Sequence, residues 1–346
     1  MQLKHDTKSE VISSAEMMRF EREHFIKKKS YFFMKNAGKQ SFKFITTILK
    51  NKQPIIVLCG PGNNGGDGFV IAKLLKNKGY LTGVYVLSNK RNYKGDALRA
   101  LNDYNGKIRK ISSLKIIKNA LIIDALFGIG LRRDIKGKLI KVFNQIKKSN
   151  NRVVSIDIPS GISSDTGKIM GSAIKAHYTV TFHKKKLGHC INSGKEFSGK
   201  LKIVDIGFKK KKMKKTFLIN SPNLWIKKFP SKKSFHHKYS RGKVVIFGGA
   251  KEFTGATILA AEAALRTGVG SAKILCSKGT LQIYSIKFPS VLKTEINNIN
   301  QLKSFLKREK ITSMLIGPGA GKNKKIKEIT KLILKNVKYV VLDADA

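Results

Sequence analysis

The run Gly60-Pro61-Gly62-Asn63-Asn64-Gly65-Gly66-Asp67-Gly68 decides the fold. It follows Pro54-Ile55-Ile56-Val57-Leu58-Cys59, a continuous apolar run that predicts a strand buried on both faces of a parallel sheet. Helical spacing follows over 69–76. In such a strand–turn–helix unit, small residues supply permissive torsions and backbone N–H groups approach an anion at the helix start. No Gly-Lys-Ser/Thr follows, so this is not a Walker A loop. Asn64 and Asp67 put polar side chains where the dinucleotide fingerprint wants close backbone approach, which suits ligand hydroxyls or a cation. The plainer alternative is a structural turn in which Asp67 caps the helix.

Working outward, apolar runs and helical periods alternate. Upstream, 12–48 reads as two helices, the first with a capping serine at Ser14 and the second packing Phe33, Met34, Ala37, Phe42 and Ile45 on a sheet. Downstream, strands are expected at 80–87, 120–126, 152–156, 178–182 and 201–204, with helices at 94–105 and 138–148. That alternation predicts a doubly wound, mostly parallel sheet with helices on both faces. Residues 209–235 are lysine-rich and read as a linker, with a short element around Phe217-Leu218-Ile219. A second α/β unit is expected over 236–346. Its strands fall at 243–247, 272–276, 314–316 and 339–342, and its helices at 254–267 and 325–335. A chain that stops at Asp343-Ala344-Asp345-Ala346, directly after a strand, leaves that second sheet domain incomplete.

The 346 residues carry 70 Lys and Arg against 21 Asp and Glu, a net charge of +49. A surface of that charge attracts polyanions. The lysines, however, are spread over nearly every element, and no basic groove with stacking partners stands out. Salt-sensitive, nonspecific adhesion is expected rather than specific nucleic-acid recognition. Three distant cysteines make no disulfide framework and fit a cytoplasmic protein. No apolar run reaches membrane-spanning length. A homo-oligomer is left open.

In open α/β sheets, ligands bind beyond the carboxyl ends of the strands. Three polar or glycine-rich stretches fall there: 60–68, Asp124 with 128–134, and Asp157-Ile158-Pro159-Ser160-Gly161. Asn64, Asp124 and Ser160 offer oxygens to a hard, weakly held cation, and no Cys/His cluster exists for zinc. Asp157 reads equally well as a general base or as an aspartate capping its turn. Lys186 could neutralise a phosphate. His183, His189 and the pair His236-His237 read as surface or turn residues.

Together these motifs identify a family. The 57–68 segment resembles the Gly-Asn-Asn-Gly-Gly-Asp-Gly signature of the YjeF-type N-terminal domain, the NAD(P)H-hydrate epimerase. Ile123-Asp124-Ala125-Leu126-Phe127-Gly128-Ile129-Gly130-Leu131 and 157–161 resemble two further signatures, in the same order. Phe33-Met34-Lys35-Asn36-Ala37-Gly38 resembles the leading helix motif, with Lys35 where the family commonly has Glu. The resemblance covers roughly residues 10–208. Residues 236–346 look like the front of the ADP-dependent NAD(P)H-hydrate dehydratase domain, through Phe247-Gly248-Gly249, Thr254-Gly255-Ala256 and Gly317-Pro318-Gly319-Ala320-Gly321. The later Gly-Thr-Gly-Asp run of that domain is not in this sequence.

The resemblance implies a three-layer αβα Rossmann-like epimerase domain followed by an incomplete ribokinase-like α/β domain. It implies interconversion of R and S hydrates of NADH or NADPH, which carry a hydroxyl at C6 of the nicotinamide ring. By resemblance, Asn64, Asp124 and Ser160 are potassium ligands. Asn63, Asn64, Gly65, Gly66, Asp67, Gly128, Ile129, Gly130, Leu131, Arg132, Arg133, Asp134 and Asp157 line the substrate site, and Asp157 is catalytic. Ala256 and Gly319 would contact ligand in the dehydratase half, which uses ADP or ATP with Mg2+. On this reading, Asp157→Asn slows epimerisation while leaving folding and ligand binding intact. Two other classes remain as alternatives: a nicotinamide-dependent oxidoreductase, and a non-catalytic nucleotide- or RNA-binding scaffold.

Overall fold

A computed structural model describes residues 10–25, 30–50, 53–209, 213, 216–229, 238, 240–309 and 311–346. His236-His237 and part of the expected linker lie outside the described residues. The chain divides into two units, Met1–Ser221 and Pro222–Ala346.

The first unit runs β1 (Glu10–Ile12), α1 (Ser14–Phe25), α2 (Ser30–Ile48), β2 (Ile55–Cys59), α3 (Asn63–Asn77), β3 (Thr82–Val86), α4 (Gly95–Asp103), β4 (Ile108–Lys110) and β5 (Leu121–Ala125). It continues through α5 (Lys138–Lys148), β6 (Val153–Ile156), β7 (Tyr178–Phe182), β8 (Lys185–Lys186), α6 (Asn192–Phe197), β9 (Lys200–Val204) and β10 (Phe217–Leu218). Seven strands form one parallel sheet in the order β4-β3-β2-β5-β6-β7-β9. Alternate residues of β2 feed two cores. Ile55, Val57 and Cys59 pack with Phe33, Ala37, Phe69 and Ala72, whereas Ile56 and Leu58 pack with Val142, Phe143 and Ile146. Helices therefore cover both faces. A small sheet, β10-β1-β8, ties the start of the chain to the segment after β7.

The glycine run is not the loop that its composition suggests. Only 60–62 is a turn; α3 begins at Asn63, so Asp67 lies within the helix rather than at its cap. None of the five glycines has a positive φ. Four of them, Gly60, Gly65, Gly66 and Gly68, are needed for space. A Cβ on Gly65 would sit 1.8 Å from the Gly60 carbonyl oxygen, and one on Gly60 would sit 1.8 Å from that of Leu126. Those are backbone atoms, so no rotamer change relieves the clash. Alanine prefers a helix interior to glycine by about 1 kcal/mol. Gly65→Ala is nevertheless expected to lower stability by about 3 kcal/mol, the upper part of the overpacking range, read from the denaturant midpoint. An unchanged midpoint would refute the close-packing argument.

One other expectation is corrected. The helix cap is Ser13, whose Oγ accepts from the Glu16 N–H at 3.2 Å; Ser14 instead donates N–H and Oγ–H to Asp165. The short element expected around Phe217-Leu218-Ile219 is present, as the edge strand β10.

The second unit contains α7 (Pro222–Trp225), β11 (Lys243–Phe247), α8 (Thr254–Arg266), β12 (Ser271–Cys276), α9 (Lys278–Lys287) and β13 (Leu292–Glu295). After these come α10 (Ile299–Arg308), β14 (Ser313–Ile316), α11 (Lys324–Asn336) and β15 (Tyr339–Leu342). Five of them form a parallel sheet, β13-β12-β11-β14-β15. One face packs Val245, Leu275 and Ile316 on Phe305, Ile329 and Ile333; the other packs Ile246 and Ile274 on Ala261 and Tyr284. This is a parallel α/β unit with helices on both faces of its sheet.

Candidate active site

From β2 the first sheet grows one way through β3 and β4, and the other way through β5, β6, β7 and β9. Neighbouring crossovers diverge at such a reversal and leave a crevice at the carboxyl ends of the strands. A cavity of about 530 Å³ opens there. Asn63, Asn64 and Asp67 reach it from α3, and Gly128, Ile129, Gly130, Leu131, Arg132 and Arg133 from the loop after β5. Asp157, following β6, lines the same cavity. Met18, Glu21 and Phe25 of α1, with Phe33, Met34 and Ala37 of α2, form the remaining apolar-rich wall.

Gly62 precedes α3 with an extended φ of −92° and no side-chain cap. The first intrahelical bond in this turn comes from the Gly66 N–H to the Gly62 carbonyl. The amides of Asn63, Asn64 and Gly65 thus belong to the open helix end, which attracts anions. Gly65 and Gly66 serve packing as well. A Cβ on Gly66 would lie 2.6 Å from the Met34 sulfur. Asp134 is not among the cavity-lining residues; it packs near Gly171.

Asp157 is buried and sits at φ +65°, a left-handed conformation that Asp tolerates better than most residues. Its Oδ1 accepts from Lys186 Nζ at 2.6 Å and from Thr181 Oγ1 at 3.2 Å. Burial pushes the carboxyl pKa up, but the Lys186 ammonium and these hydrogen bonds outweigh burial and hold it below the ordinary value. Lys186 is fully buried and spends its three donors on Asp157, Thr181 Oγ1 and the Phe182 carbonyl. It has none left for a ligand phosphate, which corrects the expectation for this lysine. His189 is also corrected. It is buried, accepts the Lys186 N–H on Nδ1 at 3.0 Å, and therefore donates from Nε2 to the Asp157 carbonyl at 2.8 Å. Burial, reinforced by Lys186, lowers its pKa to about 4, so it braces Asp157 as a neutral ring. His183 stacks on Phe20, centroids 4.7 Å apart, with burial lowering its pKa to about 4.

Asp124 is completely buried. Its carboxylate accepts from Ser155 Oγ at 2.8 Å, from the Ser160 N–H at 2.9 Å and from Ser160 Oγ at 2.5 Å. Burial raises its pKa, and all the groups that offset this are neutral donors. Ser160 Oγ in turn accepts from the Phe127 N–H at 3.0 Å. Asn64 lies beside Gly128, on the same side as Asp157: a Cβ on Gly128 would be 3.3 Å from Asn64 Cβ and equally close to Asp157 Oδ2. Among the described residues, neither polar atom of the buried Asn64 amide has a hydrogen-bond partner. Among the described residues no three His, Cys, Asp or Glu side chains make a metal cluster.

Glu21 is the residue that sequence reasoning missed. Met18, Glu21 and Phe25 form one helical stripe on the cavity. A carboxylate at that spacing between apolar residues is a signal that could have been read. Ala256 and Gly319 belong to the second unit. Ala256 is exposed near the start of α8, and a Cβ on Gly319, at φ +67°, would meet Phe253 Cβ at 2.5 Å.

Residues 30–188 match the family described as YjeF-related protein N-terminus, and residues 244–346 match NAD(P)H-hydrate dehydratase. The Bifunctional NAD(P)H-hydrate repair enzyme Nnr of Dictyoglomus turgidum is 32% identical over 95% of this chain and 68% of its own length. Its counterpart in Moorella thermoacetica is 30% identical over 97% of this chain and 69% of its own. The NAD(P)H-hydrate epimerase of Levilactobacillus brevis is 40% identical over 44% of this chain and 72% of its length. The chain thus spans about two thirds of the bifunctional relatives, across both of its units. Two folded units, a cleft at the sheet reversal and similarity running through both halves lead to one assignment: the chain belongs to the family of bifunctional NAD(P)H-hydrate repair enzymes.

Proposed function

We propose that the first unit, residues 10–208, interconverts the R and S hydrates of NADPH or NADH in the cavity between α3, the loop after β5 and Asp157. The carrying observation is a carboxylate kept ionised by a fully buried lysine, on the wall of a cavity that also holds an open helix N-terminus. The helix end suits the nucleotide's phosphates. The hydroxylated ring carbon is bonded to the ring nitrogen, so its hydroxyl proton is the one a base must take to loosen that centre. Asp157 is the base. It is held by Lys186 and Thr181 on one oxygen, while its Oδ2 faces the space beside Gly128.

Asn64, Asp124 and Ser160 would hold potassium. A buried carboxylate balanced only by neutral donors, and a buried amide for which the described residues offer no partner, are groups that a monovalent cation completes. When bound, the ion would compensate the charge of Asp124 and fix the loops on either side of the cleft. Exchanging potassium for tetramethylammonium is expected to slow epimerisation at least about tenfold, and Asn64→Ala to weaken the potassium response similarly. Rates indifferent to the cation would remove it from this site.

The second unit, residues 236–346 with 209–235 as the connecting linker, contributes the dehydratase part. It acts on the S hydrate with ADP or ATP and Mg2+, with Ala256, near the start of α8, and Gly319, after β14, as ligand contacts. The deciding experiment supplies a defined R/S mixture of NADPH hydrate and follows the two epimers chromatographically. Interconversion above the uncatalysed rate is expected, and its absence would overturn the epimerase reading. Adding ADP or ATP with Mg2+ then reads the second unit separately, as recovery of NADPH absorbance.

A further inference from the structure

The cavity contains more acid chemistry than Asp157 alone. Glu21 of α1, Asp67 of α3 and Asp157 after β6 line it together. They come from three different elements, and only Asp157 has a buried lysine bound to it. We propose that Glu21 is a second catalytic carboxyl of this cavity, giving a proton to the ring nitrogen of the hydrate while Asp157 takes the proton of the hydroxyl. The proposal rests on the epimerase reading above.

A hydroxyl on a carbon bonded to nitrogen can change configuration if the carbon–nitrogen bond opens and recloses. Asp157 accepts the hydroxyl proton, and the freed electron pair forms the carbon–oxygen double bond. The C6–N1 bond breaks, its pair goes to N1, and N1 takes the Glu21 proton. Rotation about C5–C6 turns the other face of the aldehyde to N1. Reclosure reverses each transfer: N1 attacks that face and returns its proton to Glu21, and the oxygen recovers its proton from Asp157. Nothing is oxidised or reduced, and both carboxyls end as they began.

This cycle needs one carboxyl ionised and its partner protonated at rest. The surroundings divide the two in that sense. Asp157 is locked to Lys186. Among the described residues no ion pair joins Glu21 to a cation; burial pushes its pKa up to about 7, with Lys186 opposing and Asp157 reinforcing. Asp67 of α3 faces the same field and is also raised well above the ordinary carboxylate range, by burial first and then by Asp157 and Glu21. Asp96 of α4, with Arg132 and Arg133 of the loop after β5, completes the charged lining. His183, stacked on Phe20 of the same helix, is held neutral. Carboxyls driven apart in this way divide into acid and base. Asp67 is a competing acid. Glu21 is preferred because the cavity-facing stripe Met18, Glu21, Phe25 brings it in on the apolar wall, where a ring would stack.

The test measures epimer interconversion in the full chain and in Glu21→Gln, Glu21→Asp and Asp67→Asn. Glu21→Gln is expected to lower kcat about 10²–10³-fold with KM within about threefold, as loss of a general acid does. In the unaltered protein the rate should fall as pH rises through about 7, the direction required of a group that acts protonated. That alkaline limb should vanish in Glu21→Gln and return, at lower rate, in Glu21→Asp. Unfolding midpoints identify a variant that fails by misfolding, and the Glu21→Asp pH profile then carries the decision. Turnover of Glu21→Gln within twofold of the unaltered protein would overturn the proposal. So would an alkaline limb that survives in Glu21→Gln and disappears in Asp67→Asn. Either result leaves the epimerase reading standing, because the unaltered protein still turns over; an inactive unaltered protein removes both.

Discussion

Asp157→Asn is expected to lower the epimerisation rate by about 10³-fold, within the range for removal of a general base. Asparagine suits the position sterically, since it too tolerates φ near +65° and its amide oxygen can still accept from Lys186. It cannot take a proton. Sequence alone suggests that this variant folds unchanged, and the structure amends that. Lys186 is fully buried, so the substitution leaves an ammonium without its counter-charge, at a cost of about 3 kcal/mol. The variant should therefore fold with a lower unfolding midpoint. In the unaltered protein the folded Asp157 pKa is lowered, so its stabilising contribution is complete above the ordinary carboxylate pKa. It is lost as pH falls through the folded value. Kinetics of the two epimers, with parallel denaturation curves, check both parts. Retention of more than a tenth of the rate would exclude Asp157 as the base.

Lys186→Met inverts the electrostatics of the same pair. Methionine keeps the length and apolar contacts of the stem but removes the charge and three hydrogen bonds. Burial then dominates Asp157, and its pKa should rise above the ordinary carboxylate value. Two consequences follow. Epimerisation at neutral pH should fall at least about tenfold and the acid limb of the profile should move to higher pH, because ionised Asp157 becomes the scarce form. Stability should fall by about 3–5 kcal/mol where Asp157 must ionise without a partner, and by less in acid, where it is neutral. Rate and unfolding midpoint measured across pH 5–9 distinguish this from simple loss of packing, which would lower both at every pH alike. An acid limb of the rate profile that does not move would refute the role given to Lys186.

The apolar runs located nearly every central strand, because a strand covered on both faces has few polar positions to spare. Edge strands were less legible. β4 has only Ile108 as an apolar residue, and β13, at the rim of its sheet, has only Leu292. β1 and β8 are too short for periodicity to register, and their pairing joins distant segments. The start of α3 was misplaced by six residues because glycine disfavours helix on its own. Close contact of Gly66 with Met34 and Ala97, and of Gly68 with Ala125, leaves no room for a side chain in the first turns of α3, and no local window contains those contacts.

The same division holds for the site. Asn64, Asp124, Asp157 and Ser160 stand at strand ends, so a linear reading could gather them. Glu21, Lys186 and His189 gain their parts from neighbours far away in sequence: Glu21 from the cavity it lines, Lys186 and His189 from Asp157. The charge state of each follows from burial and from the sign of nearby charges, which are properties of position in space.

By itself, the sequence determined that strands and helices alternate, that two units follow one another, and where the chemistry-bearing loops fall. Those are consequences of hydrophobic period and chain connectivity. Only the tertiary structure decided that the glycines serve close packing and that Lys186 is spent on Asp157. It also set Glu21 and Asp157 on one cavity under opposite electrostatic pressure. Desolvation and Coulomb forces act through distances that chain order does not contain.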